Sequence, residues 1–582
     1  MERPSWLRIA KRARPWRVWS AALLGVSLLA LAGCGAAPVS STSHPSALTI
    51  ALNPQYSPNW WAPLVPTTSC GTVSGGMVTD GTVEPWQFLP LILTNSRDQI
   101  AWSQSIAQSI THNAAGTQYV VHLNPVWKWS NGQPVTAADV VYDFQLEAAA
   151  SQANSPLPFC FAGEGGMPTL WKSVRALNQE TVVINTTQPV NANWFELNGV
   201  ALLNPIPKTV WDRYSNMTQE LQWIKSIGNA PFNPVYKVQD GPYILKKAVT
   251  DQYWEFVANP HFSGTPKPRI KTLVYDYETS YASIFAALKK NTVQVAPYDL
   301  SLWGSRGQLT NDVIHSAPLF AYSEIQVNFA KNAPQENLLS QLYIRQALQY
   351  GIDQSGIAAK IFDGQAQPSY GPAPTLDDAY YDKAMGNLYP FDPAKGKVLL
   401  ESHGWRPNAS GVMEKNGQVL AFTVLFATGT PSTTDELELM KADWANEGIN
   451  VTLKGVGGDT FGGIVGNPQE SSKWSLAGGG GWIYAPDYYP TGDGLFNGPG
   501  GFNVGAYNNP RETELVAKTL QPGSPASVKR VFDQYQVYTF QQLPVLFAPT
   551  PKILSAVSKQ VAGWGAFNVV QAFVDGNALS WK

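Results

Sequence analysis

Strand-like and helix-like segments alternate along most of this chain, and this alternation restricts the fold more than any other feature. Runs with strand character cover residues 47–52, 117–123, 181–185, 271–275, 324–329, 421–427 and 449–454. Amphipathic spacing predicts helices that begin after Thr136 and cover residues 281–290, 339–353, 393–403 and 434–447. No segment repeats at a fixed period. The pattern predicts an α/β protein in which helices pack on sheets.

Local signals define several element ends. Thr136 is a good helix N-cap, and Asp139 stands where a carboxylate can reach back to the cap amide. Pro393 near the start and Gly404 just past the end bracket another predicted helix. The glycine-rich residues 478–481 and 497–501 predict long surface loops or the walls of a cleft.

Composition indicates a large folded protein that does not bind nucleic acid. The 582 residues are enough for about three or four domains. Hydrophobic residues make up 44%, so a large core can form, while charged residues make up only 14%. No basic run occurs beyond the N-terminus, and binding to phosphates needs a concentrated Lys and Arg surface.

The first 33 residues have the features of a secretory signal peptide. Residues 1–17 carry six cations and one acid, and an apolar run of about 15 residues follows. That run is shorter than the roughly 20 residues that span a membrane. It ends in Leu31-Ala32-Gly33-Cys34, which resembles the lipobox of bacterial lipoproteins and implies lipidation of Cys34. The alternative is an ordinary signal peptide with a cysteine here by chance.

The remainder of the chain is predicted to be held at a membrane by lipid alone. The chain has 40 Lys and Arg residues, six of which lie in the first 33 residues, and 42 Asp and Glu residues, one of which lies there. Residues 34–582 therefore carry a formal net charge of −7. The small, Ser-rich residues 34–46 predict a flexible tether. We therefore expect an extracytoplasmic monomer, lipid-anchored at the cell surface or in the periplasm.

Few residues favour a metal or a catalytic site. Cys70 and Cys160 are predicted to form a disulfide, with a free buried pair or a metal site as alternatives. Six His and the lack of HExxH or CxxC disfavour zinc. A calcium site at Asp377, Asp378 and Asp382 is less favoured than a solvated loop. Neither GxxxxGK[ST] nor GxSxG occurs, so we expect no cofactor and no enzymatic activity, although spacing does not exclude paired glycosidase carboxylates.

Several segments in a fixed order carry a family resemblance. Residues 129–142 (WSNGQPVTAADVVY) are the most specific segment. The others are residues 241–243 (GPY), 259–262 (NPHF), 327–329 (VNF), 344–348 (IRQAL), 352–353 (ID), 392–395 (DPAK), 399–400 (LL) and 404–405 (GW). Together they resemble the family 5 solute-binding proteins of bacterial ABC importers, the group of oligopeptide-, dipeptide- and nickel-binding proteins.

The resemblance implies a two-lobed α/β body of the periplasmic-binding-protein type, with an extra inserted domain and a ligand cleft between the lobes. The implied boundaries are residues 47–322 for lobe 1, with an inserted subdomain at about 75–215, residues 323–550 for lobe 2 and residues 551–582 for the return to lobe 1. Hinge closure would bury the ligand, and a membrane permease would recognise the closed form. Most matching residues have structural interpretations, such as the turn at Asn131-Gly132 and the packing or pairing of Arg345.

The resemblance also indicates where a ligand would bind. In peptide-binding members, a Trp-x-x-Asp segment places a carboxylate against the ammonium group of the peptide. Trp482 matches this segment, but Ala485 replaces the Asp, and Asp487 follows two positions later. Asp487 is therefore either a displaced anchor or a turn residue after Pro486.

Aromatic residues complete the predicted site, although most of the aromatics in loop-like segments are interpreted as packing residues. The predicted ligand-binding residues are Trp482, Tyr484 and Asp487 from the second lobe, Tyr322 and Asn328 near the crossover of the chain from the first lobe to the second, and Trp61 from the first lobe.

Peptides are the predicted ligands, and subunits of an ABC permease are the predicted partners. Oligosaccharides are the second choice of ligand, and nickel is disfavoured because His is scarce. Two other function classes are alternatives: a secreted hydrolase, and a receptor that signals to a membrane sensor.

Overall fold

The structure, a computed structural model, describes residues 46–52, 54, 60–67, 87–496, 498, 502–570, 573–574 and 576–582. The signal segment, Cys34, the tether up to residue 45, Cys70 and most of residues 497–501 lie outside the described residues. The predictions made for them therefore stay predictions. Among the described residues, no helix is both long enough and apolar enough to cross a membrane.

A seven-stranded mixed sheet gathers strands from three distant parts of the chain. The strand near the N-terminus, Leu48–Ala51, pairs in parallel with two neighbours, and the remaining pairs are antiparallel. In spatial order the strands are Asp312–Ala317, Ile553–Ser558, Val295–Pro297, Leu48–Ala51, Thr272–Asp276, Tyr253–Ala258 and Tyr243–Val249.

A five-stranded sheet is formed by later segments of the chain. Its strands in spatial order are Asn450–Val456, Ala421–Ala427, Leu476–Ile483, Ala321–Val327 and Val545–Ala548. Strand Ala421–Ala427 is parallel to both of its neighbours, while Ala321–Val327 is antiparallel to its own. The sheet packs on helices through a buried apolar core that includes Ile325, Leu348, Val424, Leu437 and Leu546.

Smaller sheets complete the β structure. An antiparallel four-stranded sheet has the order Ala107–His112, Gln118–Leu123, Thr181–Thr186 and Trp171–Asn178. The short pieces are a three-stranded sheet of Arg406–Pro407, Met413–Lys415 and Gln418–Val419, and the pairs Ala366–Gln367 with Thr550–Pro551, Val561–Ala562 with Ser580–Trp581, and Phe567–Asn568 with Phe573–Val574.

Helices connect and cover these sheets. The α-helices of seven or more residues are Ala137–Ala150, Met217–Ile227, Tyr281–Lys289, Leu342–Tyr350, Gln354–Lys360, Pro393–Ser402, Pro431–Asn446, Gly458–Val465, Pro510–Thr519 and Pro525–Gln542. The shorter α-helices are Ala192–Trp194, Lys208–Trp211 and Glu336–Leu339, and Phe195–Gly199 is a π-helical turn. The 3₁₀ segments are Glu164–Gly166, Val200–Leu202, Pro234–Lys237, Leu300–Gln308, Pro468–Lys473, Trp564–Ala566 and Gly576–Ala578.

The chain moves between the two large sheets twice. It leaves the seven-stranded sheet after Ala317 and enters the five-stranded sheet at Ala321. It returns between Ala548 and Ile553. The predicted domain boundaries lie close to these two connections, and their assignment as domain boundaries remains a prediction.

The predicted helix caps agree with the structure. The Asp139 carboxylate accepts hydrogen bonds from the Thr136 amide (2.8 Å) and from the Thr136 hydroxyl (2.9 Å), and the helix begins at the next residue, Ala137. Pro393 opens its helix, and Gly404 has a φ of 89°, a left-handed conformation that suits glycine at a helix end.

The predicted helix over residues 339–353 is wrong as a single element. The chain instead forms Glu336–Leu339, Leu342–Tyr350 and Gln354–Lys360. Asp353 caps the last of these helices, because its carboxylate accepts the Gly356 amide at 2.8 Å. A side-chain cap competes with continuation of the preceding helix, so the amphipathic spacing alone overestimated its length.

The prediction that residues 478–481 form a long surface loop is wrong, and the alternative that they form the wall of a cleft stays a prediction. They lie inside strand Leu476–Ile483, in the middle of the five-stranded sheet. Glycine is needed there for space: a Cβ on Gly478 would lie 2.7 Å from Leu437 and 3.0 Å from Val424. The glycines therefore permit close packing within a strand, a use that glycine content alone does not distinguish from a loop.

Arg345 has the structural role predicted for it. It lies on helix Leu342–Tyr350 with 4% of its surface exposed. Its guanidinium donates to the carbonyls of Leu339 (2.6 Å), Gln542 (2.8 Å) and Leu543 (2.9 Å). Two of these carbonyls end helix Pro525–Gln542, where the helix dipole favours a cation.

We expect Arg345→Met to lower the free energy of unfolding by about 3 kcal/mol, because it leaves the buried carbonyls without donors. Urea denaturation measures this loss. The control is Arg97→Met at an exposed position, which should change stability by less than about 0.5 kcal/mol. An unchanged unfolding midpoint for Arg345→Met would contradict the assigned role.

Gly478→Ala should destabilise the protein by about 1–3 kcal/mol, because the added methyl has to displace core side chains. Gly480→Ala is the matched control in the same strand, since nothing lies within 4 Å of its Cβ position. Thermal unfolding of both variants tests the assignment, and equal melting temperatures would show that the space at Gly478 is not restricted.

Candidate functional site

The candidate site is built on one pair of adjacent strands. Strand Ala321–Val327 runs antiparallel to Leu476–Ile483, with Tyr322 opposite Trp482 and Glu324 opposite Gly480. The backbones approach closely, because a Cβ on Gly481 would lie 2.5 Å from the Tyr322 carbonyl oxygen. This pairing brings two of the predicted site residues, Tyr322 and Trp482, side by side.

Asp487 returns to the same place after the strand ends. The Trp482 indole Nε1 donates to Asp487 Oδ2 at 2.8 Å. Asp487 is 3% exposed, and its other oxygen, Oδ1, has no hydrogen-bond partner among the described residues. Asp487 is therefore a buried group held against Trp482, and its role as a ligand anchor stays a prediction.

A second buried acid, Glu164, comes from a distant part of the chain, and the charge of Asp487 raises its pKa. It begins the short 3₁₀ segment Glu164–Gly166 and is 2% exposed. Its Oε1 lies so close to Gly494 that a Cβ there would be 1.9 Å away, and within the described part of the chain its Oε2 has no hydrogen-bond partner. Its neighbourhood includes a third acid, Asp493.

Both carboxyls of this pair have raised pKa values. Burial raises the pKa of the Glu164 carboxyl well above its ordinary value, and Asp487 and Asp493 raise it further. Burial likewise raises the pKa of Asp487, against the opposing effect of the Trp482 hydrogen bond. Among the ion pairs between described residues, none includes Glu164 or Asp487. Two desolvated carboxyls in this position favour a bound proton or a bound cation.

Aromatic side chains form the wall behind the acids. Tyr484 is fully buried, its hydroxyl donates to the Pro372 carbonyl at 2.8 Å, and its ring lies 6.1 Å from that of Tyr322. The Trp482 ring lies 4.4 Å from that of Phe502. The structure thus brings Tyr322, Trp482, Tyr484 and Asp487 together, as expected for one site.

Two other predicted ligand-binding residues lie in packing positions. Asn328 is fully buried, its amide nitrogen donates to the carbonyls of Ser471 (2.9 Å) and Trp474 (3.0 Å), and its oxygen accepts the Ala330 amide. These bonds use both of its amide hydrogens and one lone pair of its oxygen, which indicates a packing position, and its contact with a ligand stays a prediction. Trp61 is 7% exposed and packs edge-on against Trp254 of the seven-stranded sheet at 5.5 Å, which indicates a packing role.

Hydrogen bonds join the regions that supply the two acids. The Asn198 amide donates to the Tyr489 carbonyl at 3.0 Å, and the Tyr489 amide donates back to Asn198 Oδ1 at 2.7 Å. The Asn191 amide reaches the Tyr489 hydroxyl at 3.1 Å. Glu164, Asn191 and Asn198 come from the first part of the chain and Tyr489 from the second, so polar contacts hold the acids in position.

The acidic segment at Asp377 also contacts a distant part of the chain. The Asp377 oxygen Oδ1 accepts the amides of Ala379 (2.8 Å) and Tyr380 (2.9 Å), which defines a turn. Burial raises the pKa of Asp377 to about 6 and, with Asp377 nearby, raises that of Asp98 to about 8. Within the described part of the chain, no group of three or more His, Cys, Asp or Glu could hold a metal ion.

Cys160 is disulfide-bonded. Cys70, its predicted partner, lies outside the described residues, so the pairing of these two cysteines stays a prediction.

Sequence reasoning missed Glu164 and Glu324. Glu164 lies in a short Gly-rich stretch (GEGG) without any recognisable motif. Glu324 occurs in a predicted strand, and an acid at a position expected to be buried was the only available signal.

Solved structures with similar folds belong to binding proteins. The oligopeptide-binding protein AppA of Bacillus subtilis, in complex with a nonapeptide, has a TM-score of 0.77 at 18% identity, covering 92% of this chain and 99% of AppA. NikZ of Campylobacter jejuni, in complex with Ni(L-His), has a TM-score of 0.72 at 19% identity, covering 91% of this chain and 99% of NikZ. The chain therefore has the two-lobed α/β fold of these proteins.

Sequence comparison points to the same group. The dipeptide-binding protein of Escherichia coli is 25% identical over 352 residues, which is 58% of this chain and 60% of that protein. An ABC transporter peptide-binding protein of Brucella ovis is 25% identical over 343 residues, covering 58% of this chain and 57% of that protein. The chain thus spans less than two thirds of the length of these relatives.

The family model described as "Bacterial extracellular solute-binding proteins, family 5 Middle" matches residues 102–502, which is more than half of the chain. The matched segment contains Glu164, Glu324, Trp482 and Asp487. This chain belongs to the family 5 extracellular solute-binding proteins.

Proposed function

We propose that this protein is the ligand receptor of an ABC importer and that it captures peptides by their free amino terminus, between Glu164 and Asp487. The observation that carries the proposal is this pair of buried carboxyls, each with one oxygen that lacks a hydrogen-bond partner in the described part of the chain. The names of the relatives in E. coli and B. subtilis support peptides as the ligand class.

A peptide ammonium group matches the chemistry of this pair. It has three N–H donors and a positive charge, so it satisfies both free oxygens and offsets the desolvation of the acids. The hydroxyl groups of a neutral oligosaccharide donate hydrogen bonds but supply no charge. The acids therefore support a peptide over the alternative sugar ligand.

Closure of the two lobes follows from the position of the acids. Glu164 lies in the segment implied for lobe 1, and Asp487 in that implied for lobe 2, so one ammonium group contacts both lobes at once. Such a ligand binds the closed form better than the open form, and only this difference shifts the equilibrium. The hydrogen bonds between Asn198 and Tyr489 further stabilise the closed form.

The cellular arrangement is part of the same proposal. The signal segment directs the chain out of the cytoplasm, and lipid on Cys34 holds it at the membrane through the tether of residues 34–46. The monomeric, closed, loaded protein then delivers its peptide to the permease subunits without altering it.

Asp487→Asn should weaken binding of a peptide with a free amino terminus about 10- to 100-fold, because a neutral amide replaces the charged acceptor. Isothermal titration calorimetry with a pool of short peptides measures the change. Asp378→Asn is the control, since Asp378 is an exposed acid that pairs with Lys383. N-acetylated peptides should bind weakly to both wild type and Asp487→Asn. Equal affinity for free and acetylated peptides would remove the proposed anchor.

We expect the peptide-free protein to close more as the pH falls from about 8 to about 5. Burial raises the pKa of Glu164, Asp487, Asp98 (to about 8) and Asp377 (to about 6) in the arrangement described. The closed form then binds more protons than an open form with solvated acids. The free-energy preference for the closed form is therefore largest at low pH, and it declines as the pH rises through the raised pKa values.

Small-angle X-ray scattering tests this linkage through the radius of gyration. The value for wild type should decrease on acidification, and the combined variant Glu164→Gln, Asp98→Asn should respond less, because two of the titrating groups are removed. A radius of gyration that is constant over this pH range would contradict the linkage.

A further inference from the structure

A second pocket lies beside the proposed anchor. It has about 330 Å³ of empty space, a volume that includes its solvent-open mouth, and its lining includes Tyr322, Glu324, Gln326, Phe496, Phe502 and Tyr507. We call it the Glu324 pocket. Glu324 and Gln326 come from strand Ala321–Val327. The aromatic walls come from Tyr322 of the same strand and from Phe496, Phe502 and Tyr507, which follow Asp487 in the chain.

Within the described part of the chain, one acceptor in this pocket is free. Glu324 is 6% exposed, and it accepts hydrogen bonds from the Gln326 side-chain amide (3.2 Å) and from Tyr322. The Gln326 carbonyl oxygen Oε1 is buried without a hydrogen-bond partner among the described residues. No ion pair between described residues includes Glu324. A ligand group that fits here has to donate hydrogen bonds, and a positive charge matches the carboxylate.

The aromatic walls are compatible with the same ligand group. Tyr322 lies 6.4 Å from Phe496 between ring centroids, and both rings line the pocket. Aromatic faces pack against an aliphatic stem and attract a cation at its end. A lysine or arginine side chain combines such a stem with a donor-rich cationic tip.

The pocket and the anchor share a wall. Phe502 lines the Glu324 pocket and packs at 4.4 Å from Trp482, whose indole donates to Asp487. Tyr322 and Glu324 are two residues apart on one strand, so their Cα atoms are separated by roughly 7 Å. One short peptide can therefore place its ammonium group at Glu164 and Asp487 and a nearby side chain in the Glu324 pocket.

We propose that the Glu324 pocket is a specificity subsite that selects a lysine or arginine side chain near the amino terminus of the bound peptide. This inference rests on the proposed function, because it assumes a peptide held at the adjacent anchor. It adds a residue, Glu324, that determines which peptides are preferred.

The test uses alanine tetrapeptides that carry one lysine, or one norleucine as its uncharged counterpart, at each position in turn. At one position, wild type should bind the lysine peptide about 10- to 100-fold more tightly than the norleucine peptide. Glu324→Gln should reduce this ratio to about one. Glu438→Gln, at an exposed acid that pairs with Lys441, should retain the wild-type ratio.

The possible results separate the two proposals. If wild type binds tetrapeptides but does not distinguish lysine from norleucine at any position, the subsite is overturned and peptide capture stands. A lysine preference that persists in Glu324→Gln also overturns the subsite. If no tetrapeptide and no member of the peptide pool binds, both proposals are overturned. The comparison within wild type needs no variant, so it remains decisive even if Glu324→Gln does not fold.

Discussion

The close antiparallel pairing of strands Ala321–Val327 and Leu476–Ile483 is the constraint on which the site depends. It requires glycine at position 481, where a Cβ would lie 2.5 Å from the Tyr322 carbonyl oxygen. The pairing sets Tyr322 beside Trp482 and presents Glu324 to the neighbouring pocket. The chain leaving this strand then returns Asp487 to Trp482. Both proposed ligand contacts therefore derive from one local backbone arrangement.

Arg345 and the two proposed anchor acids differ in how their charges are compensated. Arg345 is buried, but three carbonyls and the end of a helix balance its charge within the fold. Glu164 and Asp487 are buried to a similar degree, yet each keeps an unpartnered oxygen and neither forms an ion pair among the described residues. A fold that leaves acids uncompensated gives up stability there, and a cationic ligand restores it on binding.

Sequence signals were reliable where the interaction is local. The cap formed by Thr136 and Asp139 involves residues three positions apart, and the structure contains it as expected. The glycine content of residues 478–481 predicts a loop or a cleft wall, whereas the space they leave within a strand is filled by side chains from other elements such as Leu437. Amphipathic spacing predicts one helix over residues 339–353, whereas the cap at Asp353 begins a separate helix.

The sequence by itself determined the α/β class, the main caps and the family resemblance, and it indicated Trp482 and Asp487 as ligand-binding residues, which stays a prediction. Only the tertiary structure brought Glu164 under the electrostatic influence of Asp487, placed Glu324 in a pocket and gave Asn328 its buried hydrogen bonds. The physical reason is range. Periodicity and capping depend on neighbours within a few residues, whereas desolvation and charge pairing depend on packing between segments that are far apart in the chain.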